Sequence, residues 1–209
     1  MLTKEKFSAR YFSRAFAGAK MPNEQRTFLD IADLAILRHD VLDKVFLAGG
    51  CFRFLYEPHG KVNDFDVFFG HGADIDSARS FFRSYGYDEV FICPKGELFT
   101  FKKNDVKVQL INVRRYDSVE QLINTFDFTA TMFGTDFRNF VFDDRAPTAA
   151  LTKTIELNAV EFPVATLNRM MKYMRYGFKL GKTTFEQFVT EVYTMGVRQQ
   201  ELNPRYYVD

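Results

Sequence analysis

Apolar positions change their spacing several times along the chain, and each change marks an element. Residues 1–20 mix basic and aromatic side chains and read as a short amphipathic helix or a flexible arm. After Asn23, a residue suited to a helix cap, Phe28, Ile31, Leu34, Ala35 and Leu37 recur at helical spacing. Lys44 to Ala48 (KVFLA) is a short apolar strand that runs into Gly49-Gly50. Cys51 to Tyr56 (CFRFLY) then opens a helix, which Pro58-His59-Gly60 breaks. Asp64 to Phe69 (DFDVFF) predicts a strand with Asp64 and Asp66 on one face, because strand side chains repeat every second residue. A helix is expected over Ile75 to Tyr85, followed by strands at Glu89 to Cys93, Leu98 to Lys102 and Val106 to Val113. The turns between those strands are Pro94-Lys95-Gly96-Glu97 and Lys103-Asn104-Asp105. Ser118 to Phe126 predicts another helix. Beyond Asp144 the character changes: Ala165 to Lys179 is helical with a basic side, and Thr184 to Met195 is amphipathic.

This order predicts an α+β fold, a mixed β-sheet with helices on one face and a C-terminal helical extension. The 209 residues suffice for one sizeable core. A hydrophobic fraction of 46% with 17% aromatic residues excludes general disorder. The formal net charge of +1 gives no overall field for nucleic acid, so any basic surface is local. Cys51 and Cys93 lack the paired spacing of a zinc site and fit a reduced compartment. The first residues lack the apolar stretch of a leader, and no run approaches the roughly 18 apolar residues of a spanning helix. A cytoplasmic chain with no membrane partner is expected.

The informative segment is Phe46 to Phe69, FLAGGCFRFLYEPHGKVNDFDVFF. A strand ends at two glycines and a helix begins, so the backbone can approach a ligand closely and offer unpaired N–H groups to an anion such as a triphosphate. Downstream, Asp64 and Asp66 are placed to share one or two hard cations, Mg²⁺ or Mn²⁺. Cations held this way activate an attacking hydroxyl and stabilise a leaving pyrophosphate. Each half alone is common: Gly-Gly is a frequent turn, and D-x-D on a strand is as often a solvated face. In order and close together they are far less expected by chance, and Asp-Phe-Asp is costly in so apolar a strand without a purpose or water.

At these residues the chain resembles the DNA polymerase β-like nucleotidyltransferase superfamily. The nearer resemblance is to the head and neck of class II CCA-adding enzymes and bacterial-type poly(A) polymerases. Gly49, Gly50 and Arg53 match that family's G-G-x-V-R-D, with Phe54 where the family has Asp. Asp127, Phe128 and Thr129 match the R-R-D-F-T-I-N-A-L motif, in which Thr125 and Phe126 replace the arginines and Thr131 the Asn. Arg169 to Tyr173 (RMMKY), with Gly177-Phe178, resembles the basic helix that binds the triphosphate or helps select the base. The resemblance covers about residues 25–180 and implies an arm or helix at 1–22, a nucleotidyltransferase catalytic domain at 23–145 and a neck-like extension at 146–209. It implies a nucleoside triphosphate (NTP) substrate and an acceptor hydroxyl on an RNA 3′ end such as tRNA, on a protein or on a small molecule. Asp64 and Asp66 would hold metal. Gly49, Gly50, Cys51 and Arg53 would lie against the phosphates, and Asp127, Arg169 and Lys172 would shape the nucleotide pocket. Superfamily members commonly carry a third carboxylate on a nearby strand, where this chain offers Gln109. An amide cannot supply negative charge, though it can coordinate or orient a hydroxyl. A nucleotide-binding module with weak or no catalysis is therefore the alternative reading, and Asp105 or Asp127 is a candidate substitute.

Other residues have bland readings beside sharp ones. His39, His59 and His71 show no ligand spacing. Cys51 stands at a helix start, where a thiol pKa can fall, but has no partner for catalysis and reads better as a small buried residue. Arg114-Arg115 is either a phosphate contact or a strand end. Asp127 is catalytic, organises the nucleotide site or caps a helix; the family match favours the second. Arg169 and Lys172 share a helix face, which is otherwise a solvated one. Arg198, Arg205, Tyr206 and Tyr207 suit either a surface tail or nucleic-acid contact. Phe7, Tyr11, Phe12 and Phe16 suit packing.

Overall fold

The structure, a computed structural model, describes residues 1–6, 44–56, 62, 64–104 and 106–196. The expected helix after Asn23, the break at Pro58, His39, His59, Asp105, the aromatic residues from Phe7 to Phe16 and the basic-aromatic C-terminus lie outside the described residues.

The strands are β1 (Leu2–Lys6), β2 (Val45–Ala48), β3 (Phe65–Gly70), β4 (Asp88–Ile92), β5 (Leu98–Lys103), β6 (Val106–Tyr116), β7 (Phe133–Thr135) and β8 (Asn139–Asp143). They form one eight-stranded sheet in the order β1-β8-β7-β2-β3-β6-β5-β4. β3 and β6 run parallel, and the other neighbours are antiparallel. The mixed sheet and the β4-β5-β6 meander agree with the sequence expectation. Residues 2–6 differ from it: expected as arm or helix, they form an edge strand on β8. β7 and β8 were not anticipated either.

Pairing assigns side chains to faces. Leu47 pairs with Val67, Val67 with Leu110 and Leu110 with Phe99, giving one apolar row. Helix α1 (Ile75–Ser84) covers that face. Its cap is Asp74, whose side chain accepts from the Asp76 amide at 3.0 Å. Phe82 then packs on Phe101 at 5.6 Å, and the Arg79 guanidinium lies 4.3 Å from the Phe99 ring centroid. On the opposite face, Ala48 pairs with Asp66, Asp66 with Gln109 and Gln109 with Thr100. The adjacent row there is Phe46, Phe68, Ile111 and Leu98. Helix α2 (Val119–Ile123), capped by Ser118, sits on this second face, with Val119 and Ile123 against Gly134 and Ala48. Helices therefore flank both faces, not one. α2 is short because Thr125 and Phe126 turn back onto Leu122 and Ile123.

The C-terminal part adds α3 (Ala146–Leu151), a two-stranded sheet of β9 (Thr154–Ile155) and β10 (Lys179–Leu180), α4 (Pro163–Arg175) and α5 (Lys182–Met195). It has its own apolar cluster around Phe128, Ile155, Met170, Phe178 and Phe188. Among the described residues, no helix is long and apolar enough to cross a membrane.

Candidate active site

Between the second face and α4 lies a cleft of about 280 Å³. Gly49, Gly50 and Asp66 line one end, Phe68, Leu98 and Ile111 the floor, and Asp127, Phe162, Ala165, Arg169 and Tyr173 the opposite wall.

Local sequence explains the first end. β2 stops at Gly49, whose φ of 96° and ψ of −148° suit glycine, and whose N–H donates to the Phe133 carbonyl at 2.9 Å. A Cβ built on Gly49 would stand 3.6 Å from Asp66 Oδ2, so this acid points at the glycine turn. Asp64 immediately precedes β3 and its charge is felt at Asp66. The helix after the glycines is a six-residue 3₁₀ helix, Gly50–Leu55. That is a correction to the expected helical anion cradle: so short an element has little dipole, and any phosphate must find its positive partners elsewhere.

Helix α4 brings such partners. Its end is a Schellman turn: Gly177 takes φ 86°, the Phe178 amide donates to the Tyr173 carbonyl at 3.0 Å and the Gly177 amide to Met174 at 2.9 Å. This folds the Phe178 ring back against Tyr173, 5.1 Å between centroids. The Arg53 guanidinium packs among Tyr173, Tyr176 and Phe178 at 5.0, 5.8 and 5.0 Å. Arg53 thus braces the 3₁₀ helix against α4. The Tyr173 hydroxyl lies 3.5 Å from where a Gly50 Cβ would stand.

Electrostatics converge on Asp66. Burial, then the like charge of Asp64, push its carboxyl from 3.8 to about 8, opposed by Lys172, Lys107 and Arg169. Asp127 is buried and ion-paired with Arg169; burial prevails and its pKa is raised. Burial also lifts the Tyr173 phenol to about 12. Cys51 is 3% exposed, and burial with the nearby Asp66 and Asp64 holds its thiol well above the ordinary value. It is a packing residue and a poor nucleophile. Gln109 pairs across from Asp66 but is 3% exposed, beneath the cleft surface. Arg114 is ion-paired with Glu161, and Arg115 donates to the carbonyls of Gly70 and Ala73 at 3.3 and 3.0 Å, contacts that match a strand end. His71 lies 3.7 Å from Asp117 on the surface.

Sequence reasoning missed Tyr173, Lys107 and the apolar floor. Lys107 was legible, since it lies two residues before Gln109 and shares its face. Tyr173 carried no signal beyond its place beside Lys172. The carboxylate pair suits one Mg²⁺, an ion often held by one or two carboxylates together with substrate phosphates.

Sheet, cleft and overlying helix define a nucleotidyltransferase-type fold. The structure of a CCA-adding enzyme with ATP superposes with a TM-score of 0.66 at 17% identity, covering 98% of this chain and 51% of that one. An apo form of a CCA-adding enzyme gives 0.62 at 16% identity, covering 97% and 48%. A tRNA nucleotidyltransferase complexed with a primer tRNA and an incoming ATP analogue gives 0.51 at 18% identity, covering 78% and 51%. A family model described as Gabija anti-defense 2 family protein matches residues 20–153, and the chain belongs to that family. A curated relative, Gabija anti-defense 2 of Bacillus phage SPbetaL7, is 26% identical over 151 residues, 70% of this chain and 37% of the relative. The chain thus spans little more than a third of that relative and about half of the solved structures.

Proposed function

We propose that the chain is a Mg²⁺-dependent nucleotidyltransferase that moves a nucleoside monophosphate from an NTP to an acceptor hydroxyl. The acceptor is an RNA 3′ end, such as that of tRNA, or a protein hydroxyl. We further propose that this transfer serves the counter-defence for which the family is named. The observation that carries the reading is the convergence of Asp66, the Gly49 turn and the basic helix α4 on one cleft.

In this reading Asp64 and Asp66 hold Mg²⁺, which supplies charge neutralisation on the phosphates and on the departing pyrophosphate. The Gly49-Gly50 backbone lets the triphosphate approach closely. Lys172 and the Tyr173 hydroxyl hold it from the α4 side. Phe68, Ile111 and Leu98 form an apolar floor for the nucleoside, and Asp127 fixes the Arg169 fork beside it. Closure of α4 over the sheet excludes water, which strengthens each of these contacts.

The test is incubation of the purified chain with α-³²P-labelled NTPs and Mg²⁺, together with tRNA, or with protein from cells that carry the Gabija defence. Label should move to an acceptor, and Asp64→Asn and Asp66→Asn should each abolish the transfer. Gln109 favours a second reading, a nucleotide-binding module of the same fold. Saturable NTP binding with no transfer to either acceptor would select it over the enzyme.

A further inference from the structure

A two-metal centre needs donors for two dications 3.5–4 Å apart, and acidic side chains commonly supply them. Among the described residues, no group of three His, Cys, Asp or Glu side chains could hold a metal ion. On the open face, the position directly across from Asp66 is Gln109, an amide. Its Nε2 is buried and has no hydrogen-bond partner. An orphaned donor of that kind costs about 1–3 kcal/mol unless an acceptor arrives. Two residues earlier on the same strand face stands Lys107, and its charge is felt at Asp66. The pairing of Phe65 with Val108 sets Lys107 beside the start of β3, where Asp64 lies.

We propose that this site takes one divalent cation, the one that travels with the nucleotide, and that the Lys107 ammonium and the Gln109 amide stand where a second would be. The inference rests on the nucleotidyltransferase reading. The Gln109 amide takes the position across from Asp66 without supplying charge, and Lys107 brings positive charge to the same place. In the transfer, the acceptor oxygen forms a bond to the α-phosphorus, the bond from that phosphorus to the pyrophosphate oxygen breaks, and the hydroxyl proton leaves to water. The acceptor hydroxyl receives no cation of its own. Transfer is therefore slow unless the acceptor presents a hydroxyl that ionises readily or brings its own base.

The test counts bound Mn²⁺ by electron paramagnetic resonance at pH 8.5, with each of the four α,β-methylene nucleoside triphosphates in turn. One Mn²⁺ per bound nucleotide is expected in the native chain and two in Gln109→Glu. Two in the native chain would overturn the inference and leave the nucleotidyltransferase reading standing. No nucleotide-dependent Mn²⁺ with any of the four would overturn that reading itself. A count of one in a folded Gln109→Glu would show that this position does not stand in for a metal ligand, and the inference would fall. If Gln109→Glu does not fold, Lys107→Met decides: triphosphate affinity should drop about tenfold with the count still at one. Unchanged affinity would overturn the proposal.

Discussion

Asp66 is held at a cost that a single substitution should release. Burial, then the like charge of Asp64, push its carboxyl up from 3.8 to about 8 in the metal-free fold. A raised acid keeps its proton in the folded chain between those two values while the unfolded chain has lost it. Stability is therefore lost as pH rises through that window. At pH 7 the gap is about 3.2 units at about 1.36 kcal/mol each, a ceiling of about 4 kcal/mol. Relaxation of the Asp64 contact and counter-ions should leave about half of that. Asp66→Asn removes the titrating proton and keeps the shape, so it should stabilise the metal-free protein by about 2 kcal/mol at pH 7, or roughly 4–8 °C in Tm for a chain of this size. The assay is thermal unfolding with EDTA from pH 5 to pH 8.5. The gap between variant and native chain should widen with pH. With Mg²⁺ and a non-hydrolysable NTP the order should invert, since only the native chain gains ligand stabilisation. A gap that stays flat with pH would refute the reasoning.

Replacing Arg53 by Met keeps bulk and removes three ring contacts, and denaturant unfolding should show a loss of about 1–3 kcal/mol. Tyr173→Phe deletes the hydroxyl that faces Gly50, so calorimetry should show NTP affinity falling about 3- to 10-fold with Tm little changed. Gly134→Ala puts a Cβ 2.6 Å from Val119 Cγ2 and 3.0 Å from Ile123 Cγ2, which should cost about 1–3 kcal/mol in chemical denaturation.

The central strands were legible because their period and composition agree. KVFLA and DFDVFF are short, apolar and bounded by glycine or polar residues, and both are strands within a residue of their expected ends. α1 lies within a residue of its expected ends, Ile75–Ser84 against Ile75 to Tyr85. β7 and β8 went unread because FGT is too short to show a period. β1 could not be read at all: LTKEK has little apolar content, and only its pairing with β8 makes it a strand. At the site, strand alternation gave Asp64 and Asp66 one expected face, but sequence gives no distances and could not show Gln109 paired with Asp66. It could not show Arg53 enclosed by rings contributed from residues 173–178, a contact made across more than a hundred positions.

Three departures from the resembling family, Thr125, Phe126 and Thr131, line the same cleft as Gly49. Phe126 stands where that family has arginine; its ring lies 5.8 Å from Phe68 and would be 3.9 Å from a Cβ on Gly49. The loop beside the glycine turn is therefore apolar, and positive charge near Asp66 comes from α4 through Lys172 and Arg169 and from β6 through Lys107. Charge carried by the overlying helix helps a triphosphate only while that helix stays docked. Docking depends on the Schellman turn at Gly177 and on Arg53 among the three rings. Bracing and binding are thus one linked property of the fold. On the proposed function, a loosened α4 would lower nucleotide affinity by the fraction of time it spends undocked.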